Sequence, residues 1–547
     1  MKFAFISFLL CFSALLFMSV SMEEETIIVH LDKPFYVGGE TIWYQVYLPK
    51  AFEGQEVALK VGIADDEGRY LNDHFVKTGG KTYLNGYFKI PYELSPKVYH
   101  FLLLGTDKTS KQKIKLGECF VPIYSDLNIE ANNTLSLNPP NTPATALNEL
   151  AIAVDLSENS YQQREDIKVT VKVTDKQGKP SPSVISVAVK DAGLIQTGGY
   201  PSTSIYLFPL TTPNLVVSLD SAIYITGQVQ TLSGKPWSSV ILGAYSNQES
   251  RFYFTQSNEM GFFALPMPAF KGDKSLQFMD ILENDVQITL DDHLSLPKSP
   301  ALLMNEEVRQ YLIWSQMRKK IYQLYSTIEA PLDISSSEIQ AQVLQPDQRF
   351  PLKNYVAFDN LSIFFNEIIT PLKFRKARGD IYTAKMFNPE QQIRQFYRGD
   401  PIFIVNGKLT RDANFVHEIP IEKIDTVDLF FDAQQLKQQF GPMGNSGMVV
   451  VKTSVPILNF PANDLGNIFS INGLLPDTKA NPPAETAAHQ PIFKSQLFWS
   501  SNINTDAKGA YQFTFPQSDD LGTFHIEVTG QSQDGARGYA VKSYKVD

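Results

Sequence analysis

His30–Leu48 reads HLDKPFYVGGETIWYQVYL. The alternating run Thr26–Leu31 leads into Asp32-Lys33-Pro34, a turn tripeptide, and Thr41–Leu48 follows as a long β-branched and aromatic strand. The same order returns further on. Leu156–Val173, LSENSYQQREDIKVTVKV, again gives a strand end, a polar turn, a tyrosine, a second turn and a strand. Two segments that rhyme in this way predict two copies of one sandwich type.

Outward from these copies the chain divides by its turn and loop chemistry. Residues 22–125 read as the first β-sandwich, with turns expected at Asp66-Glu67-Gly68 and at Asn85-Gly86, the latter a strong hairpin signal. Residues 126–146, rich in Asn, Pro and Thr, read as a linker, and 147–222 as the second sandwich. Residues 223–290 form a third β unit around Leu232-Ser233-Gly234-Lys235-Pro236 and Asn258-Glu259-Met260-Gly261. The first helix is expected after Asn305, where Val308, Tyr311, Leu312, Trp314, Ile321, Leu324 and Tyr325 recur at helical spacing, making 291–346 a helical bridge. That stripe reads as a packing face. Residues 347–455 mix helix and strand, 456–492 read as a linker, and 493–547 as a separate C-terminal β unit. The fold class expected is mostly β and multi-domain, immunoglobulin-like sandwiches with one α+β domain.

The chain has 547 residues, net charge −10 and 2 cysteines. Its 43% hydrophobic content excludes a disordered chain, its acidity argues against nucleic-acid binding, and two cysteines exclude a disulfide framework. Residues 1–21, MKFAFISFLLCFSALLFMSVS, read as a secretory signal cleaved after Ser21, because Glu23-Glu24-Glu25 follows the apolar run at once. Cleavage leaves Cys119 alone, expected to be buried and inert in a strand. No membrane span is expected in the mature chain.

His30–Leu48 resembles the macroglobulin-type sandwich of the α2-macroglobulin family, where an Asp-Lys-Pro turn, a Tyr, a Gly-Glu and an aromatic strand recur in this order. Residues 150–194 are similar to a later macroglobulin domain of that family. The final unit, with Phe498-Trp499 and Thr505-Asp506-Ala507-Lys508-Gly509, is similar to the segment before its thioester domain. Residues 223–266 resemble a carboxypeptidase-regulatory-like domain. Pro401–Gly407, Ile419–Leu429, Phe440-Gly441 and Gly447–Thr453 together resemble the plug domain of TonB-dependent receptors, with Asn406 in place of the usual Asp. The combination implies a Bacteroidota-type envelope. The thioester Cys-Gly-Glu-Gln is missing, since Cys119 stands in Glu118-Cys119-Phe120-Val121, and the 94 residues after Thr453 cannot make a receptor barrel.

The search for chemistry yields no HExxH, GxSxG, P-loop or CxxC motif. Gly441, Gly444 and Gly447 read as turn residues, since a strand follows them where a nucleotide-binding motif needs a helix. His30, His74, His100, His293, His417, His489 and His525 are scattered without metal-ligand spacing. Asp65-Asp66, Asp291-Asp292 and Asp519-Asp520 are expected in polar turns, and adjacent strand residues face opposite ways, so none pairs for acid–base work. Lys373-Phe374-Arg375-Lys376-Ala377-Arg378 is the one basic cluster, a solvated strand edge or turn, or else a contact for lipid headgroups or an acidic partner. No catalytic, cofactor or metal residue is therefore assigned. The expectation is a non-enzymatic exported protein of the cell envelope, in the periplasm or at the outer membrane, that binds other envelope proteins. Two rivals are a protease inhibitor without a thioester, with 462–492 as its exposed bait, and an enzyme whose site the motifs do not reveal.

Overall fold

A computed structural model describes residues 25–132, 147–193, 204–210, 215–282, 284–325, 345–355, 358, 361–377, 381–390, 395–457, 459–475 and 491–547. The signal segment, Arg378 and His489 lie outside these residues, as does most of the 126–146 linker. The described chain is mostly β, in several sheets.

The first sandwich packs two sheets. One orders the strands Ile205–Pro209, Thr26–Leu31, Thr41–Tyr47 and Tyr83–Lys89; the other orders Tyr36–Val37, Lys113–Tyr124, Lys97–Thr106, Ala58–Ala64 and Tyr70–Lys77. Asp32 fixes the turn between the first strands. Its Oδ1 accepts the Tyr36 hydroxyl at 2.7 Å and the Trp43 N–H at 2.8 Å, while Glu40 Oε2 accepts the Val37 N–H at 2.8 Å. Burial raises the Asp32 carboxyl to about 6 against these donors and the Lys33 charge. Phe101 and Leu103 point into the core, whereas Leu102 and Leu104 meet Leu294 and Leu296 on the outer face. A strand covered on both sides explains the continuous Phe-Leu-Leu-Leu run.

The second sandwich repeats this plan without a counterpart to Ile205–Pro209. Leu150–Leu156 and Asp166–Asp175 pair as Thr26–Leu31 and Thr41–Tyr47 do, and Ser160–Tyr161 runs parallel to the last strand as Tyr36–Val37 does. The turn chemistry repeats as well: the Tyr161 hydroxyl sits 3.1 Å from Ser157 Oγ, and Glu165 Oε2 accepts the Gln162 N–H at 2.8 Å. Ile167, Val169, Val171 and Val173 face the core while Lys168 and Lys172 face out, so a one-residue slip would bury two lysines.

The second sandwich is not closed by its own neighbourhood in sequence. Of its four later strands, Gln496–Asn504 and Gly522–Ser532 pair with Ser183–Asp191, Ala510–Pro516 pairs with Asp166–Asp175, and Arg537–Val546 pairs with Gly522–Ser532 and Ser160–Tyr161. The separate C-terminal unit expected from sequence is therefore the second half of this sandwich, and residues 192–495 are inserted between its halves. Ile205–Pro209 also leaves the expected 147–222 unit, pairing with Thr26–Leu31 of the first sandwich.

The insert holds a third β unit and an α/β unit. In the third, the sheet Phe262–Met267, Ile223–Gln230 and Gln287–Leu290 faces the sheet Arg251–Gln256, Ile241–Ser246, Asp273–Asp280 and Ile468–Asn472. The alternating Ile468–Asn472 thus belongs to a sheet, although 456–492 reads as linker. In the α/β unit, a five-stranded mixed sheet has Ile402–Val405 parallel to Met448–Thr453. Asn406 and Gly407, at φ 49° and 82°, make the two-residue turn from Val405 to Lys408. Asn85-Gly86 behaves differently: it lies inside the strand Tyr83–Lys89. A Cβ on Gly86 would sit 2.3 Å from the Tyr44 hydroxyl, so this glycine makes room for a ring and turns nothing.

Candidate functional site

The helix Glu306–Tyr325 begins where the Asn305 side chain caps the Val308 N–H at 2.8 Å. Val308, Tyr311 and Leu312 pack with Phe35, Val37, Val98 and Tyr124 of the first sandwich. Further along the same face stand Ser315, Arg318 and Lys319. Ser315 donates to Asp126 at 2.9 Å, Lys319 pairs with Asp126 at 2.7 Å, and Arg318 pairs with Asp520 of the second sandwich at 2.9 Å. The helical segment is a latch across the two sandwiches.

Where the two sandwiches meet lies a constellation drawn from distant parts of the chain. His30 comes from the first sandwich, Ser186 and Lys190 from the strand Ser183–Asp191, Ser204 from the start of the insert, and Glu527 from the strand Gly522–Ser532. His30 Nδ1 is 2.7 Å from Ser186 Oγ, and His30 Nε2 is 3.6 Å from Glu527 Oε2. Lys190 pairs with Glu527 and donates to Ser204 Oγ at 2.7 Å, while Ser204 Oγ donates to Glu527 at 2.9 Å. Tyr47 closes the group, donating to the Thr529 carbonyl at 2.8 Å with its oxygen 2.9 Å from Ser186 Oγ.

Serine, histidine and glutamate in contact invite comparison with a nucleophilic triad. Access decides against it. His30, Ser186, Lys190, Ser204 and Glu527 are each 0% exposed, so no substrate carbonyl can reach Ser186 Oγ in this arrangement. Burial lowers the His30 imidazole and keeps it neutral near pH 7. Burial also opposes ionisation of Glu527, but Lys190 and His30 bring its carboxyl well below the usual range. The result is a desolvated ion pair between neighbouring strands of the second sandwich, with hydroxyl support, covered by His30 and Tyr47 of the first. Residues more than 150 positions apart meet here, and so no local motif marks the group.

A second such group joins the first sandwich to the third unit. Asp292 receives Lys60 at 2.7 Å, the Tyr70 hydroxyl at 2.6 Å and the Thr226 hydroxyl at 2.7 Å, with Asp73 3.0 Å from Lys60. Burial opposes ionisation of Asp292, yet Lys60 and Lys113 hold it well below the carboxylate range. The third unit meets the α/β unit through Gln277, which accepts the Leu409 N–H and donates to its carbonyl, both at 2.7 Å. Two open clefts flank these junctions. One, about 580 Å³, lies between the sandwiches and is lined by Glu25, Lys50, Glu149, Asp175, Lys176 and Arg537 among others. The other, about 560 Å³, lies where Asn247 of the third unit faces Arg349, Asn406, Asp428 and Lys452.

The residues singled out in the sequence scatter over this frame. His30, His74 and His100 are buried, and among the described residues no group of three or more His, Cys, Asp or Glu could hold a metal ion. Each acidic pair splits, with Asp65, Asp292 and Asp520 buried and their neighbours less so. The expectation of polar turns fails for Asp292, which desolvated lysines hold inside a junction. Cys119 is buried in the strand Lys113–Tyr124, and burial pushes its thiol well up. Gly441–Ser446 is a 3₁₀ turn followed by the strand Met448–Thr453, as a turn reading requires. Among the described residues no helix is long and apolar enough to cross a membrane.

No protein-family model matches the chain, and no curated protein does. Among solved structures, the native conformation of Escherichia coli alpha-2-macroglobulin is similar over 96% of this chain and 40% of its own, at 9% identity and TM-score 0.24. Salmonella alpha-2-macroglobulin reacted with methylamine is similar over 96% and 39%, at 10% identity and TM-score 0.23. The chain thus spans about 40% of the length of these solved chains. The mostly β class rests on the sheets themselves.

Proposed function

We propose that this chain is a non-enzymatic scaffold of the cell envelope that holds its modules in fixed relation and presents them to other envelope proteins, at the outer membrane or in the periplasm. The observation that carries this reading is the buried contact between the two sandwiches, where His30 and Tyr47 of the first meet Ser186 and the Thr529 carbonyl of the second and cover its Lys190–Glu527 pair. Each such buried polar group left without its partner costs about 1–3 kcal/mol, so arrangements that part these groups without admitting water are disfavoured. Module geometry is therefore held firmly, as large docking surfaces require. An enzyme reading asks for perturbed acids in a cleft. Burial raises Asp32, Asp464 and Asp520 to about 6, and none of them lines either cleft.

The test is affinity capture of the tagged chain from gently solubilised envelopes, followed by mass spectrometry. Near-equal recovery of an outer-membrane barrel or lipoprotein supports a scaffold subunit. A monomer recovered alone overturns it.

A second reading, a protease inhibitor without a thioester, draws on the interrupted sandwich. Its halves are stitched by the pairing of Ser183–Asp191 with Gly522–Ser532, so a cut within 192–495 would leave the frame closed. Residues 462–475 of the suggested bait segment are partly committed to the third unit, and 476–490 lie outside the described residues. Limited proteolysis with a change in hydrodynamic radius would favour the inhibitor; cleavage without such a change would remove it.

A further inference from the structure

The basic cluster of the α/β unit forms the strand Leu372–Lys376, paired in a two-stranded hairpin with Tyr382–Met386. Phe374 turns into the core of the α/β unit, leaving Lys373 and Arg375 on the other face. Register sets Lys373 directly opposite Lys385, a like-charge pairing that disfavours the hairpin on its own. Asp400 answers Lys385 at 2.6 Å. Lys373 donates instead to the Asn366 carbonyl, and Arg375 lies over the Phe396 ring at 5.1 Å. Among the described residues, Lys373, Arg375 and Arg398 form no ion pair, and Arg375 and Arg398 are exposed.

Large apolar side chains stand beside these cations. Ile381, which closes the hairpin tip by accepting the Ala377 N–H at 2.7 Å, is 53% exposed, and Phe396 is 39% exposed. A cationic face alone would suit any polyanion. Exposed aliphatic and aromatic groups at its rim suit one whose charged layer covers hydrocarbon.

We propose that this hairpin face docks the chain on an anionic phospholipid surface, with Lys373, Arg375 and Arg398 over the headgroups and Ile381 and Phe396 entering the interface. The net charge of −10 repels the rest of the chain from such a surface, so docking also orients it. The inference is independent of the scaffold reading, which concerns protein partners.

The test is co-sedimentation of the full chain with phosphatidylcholine vesicles, with and without about one-third phosphatidylglycerol. Binding is expected only to the anionic vesicles and should weaken with salt. At about a fivefold loss per cation removed, Lys373→Gln with Arg375→Gln and Arg398→Gln should lower partitioning about a hundredfold. Ile381→Ser, at a single exposed position, should lower it severalfold without changing the salt dependence. Failure to bind anionic vesicles overturns the proposal, as does undiminished binding by the triple variant with its circular dichroism intact. Equal binding to heparin, with no effect of Ile381→Ser on either ligand, assigns a general polyanion site and also overturns it.

Discussion

Glu527→Gln removes one charge from the junction between the two sandwiches and almost no volume. Lys190 would remain 0% exposed beside Ser204 with its counter-charge gone. Breaking a buried pair from one side costs about 3–5 kcal/mol, because an uncompensated charge stays desolvated. At about 1.4 kcal/mol per decade, the closed-to-open ratio of the junction should fall by roughly two to three and a half orders of magnitude. The assay is native-state hydrogen exchange, read separately in Thr26–Leu31, Ser183–Asp191 and Gly522–Ser532, since a chain of several modules need not unfold in one step. Trp499, whose ring centroid is 5.1 Å from that of His30, gives a fluorescence readout of the same junction. Lys190→Met combined with Glu527→Leu should recover most of the loss, since apolar replacement of a whole buried pair is often neutral or better. A loss below about 1 kcal/mol for Glu527→Gln, or a double variant as damaged as the single one, would refute the reasoning.

Three further outcomes follow from the same geometry. His74, buried 2.6 Å from the Tyr44 hydroxyl, is held by burial at about 4, below its ordinary 6.5. Its unfolded form binds the proton first, so the first sandwich should lose about 3 kcal/mol as pH falls from 6.5 to 4, and His74→Gln should flatten that limb of a denaturation series. Gly86→Ala should destabilise the first sandwich by about 1–3 kcal/mol through a clash with the Tyr44 hydroxyl; urea midpoints check this, and an unchanged midpoint would show that the ring yields freely. Asp292→Asn should loosen the third unit by about 1–3 kcal/mol, raising exchange in Ile223–Gln230 while Thr41–Tyr47 stays protected.

The local half of this architecture is legible in the sequence. Asp32, Tyr36 and Glu40, answered by Ser157, Tyr161 and Glu165, mark a turn whose hydrogen bonds form within a few residues, and their recurrence along the chain is enough to reveal the repeat. The helix after Asn305 is equally local. Closure of the second sandwich is not, because the alternation of Gly522–Ser532 is the same whether its partner is adjacent or 340 residues away. Asn85-Gly86 misleads for the opposite reason: its turn chemistry is local, whereas the demand it satisfies comes from the ring of Tyr44 on the neighbouring strand. The junction groups are hidden in both ways. Ser186 and His30 carry no signal in their own segments, and Asp292 reads as a loop acid until Lys60 of the first sandwich is placed beside it.

The insertion of residues 192–495 also sets a clock. A chain made from its N-terminus has every strand of the first sandwich available once Ile205–Pro209 has emerged. The second must then wait for Gln496–Asn504 and its followers. At roughly 5–20 residues per second that wait is roughly 15–60 s, long beside the milliseconds to seconds in which such sandwiches pair. Throughout it, Asp166–Asp175 and Ser183–Asp191 offer unsatisfied edges to any passing strand. Lys168 and Lys172 on the outer face are suited to that interval, since charge on an unpaired strand discourages the wrong partner until the right one arrives.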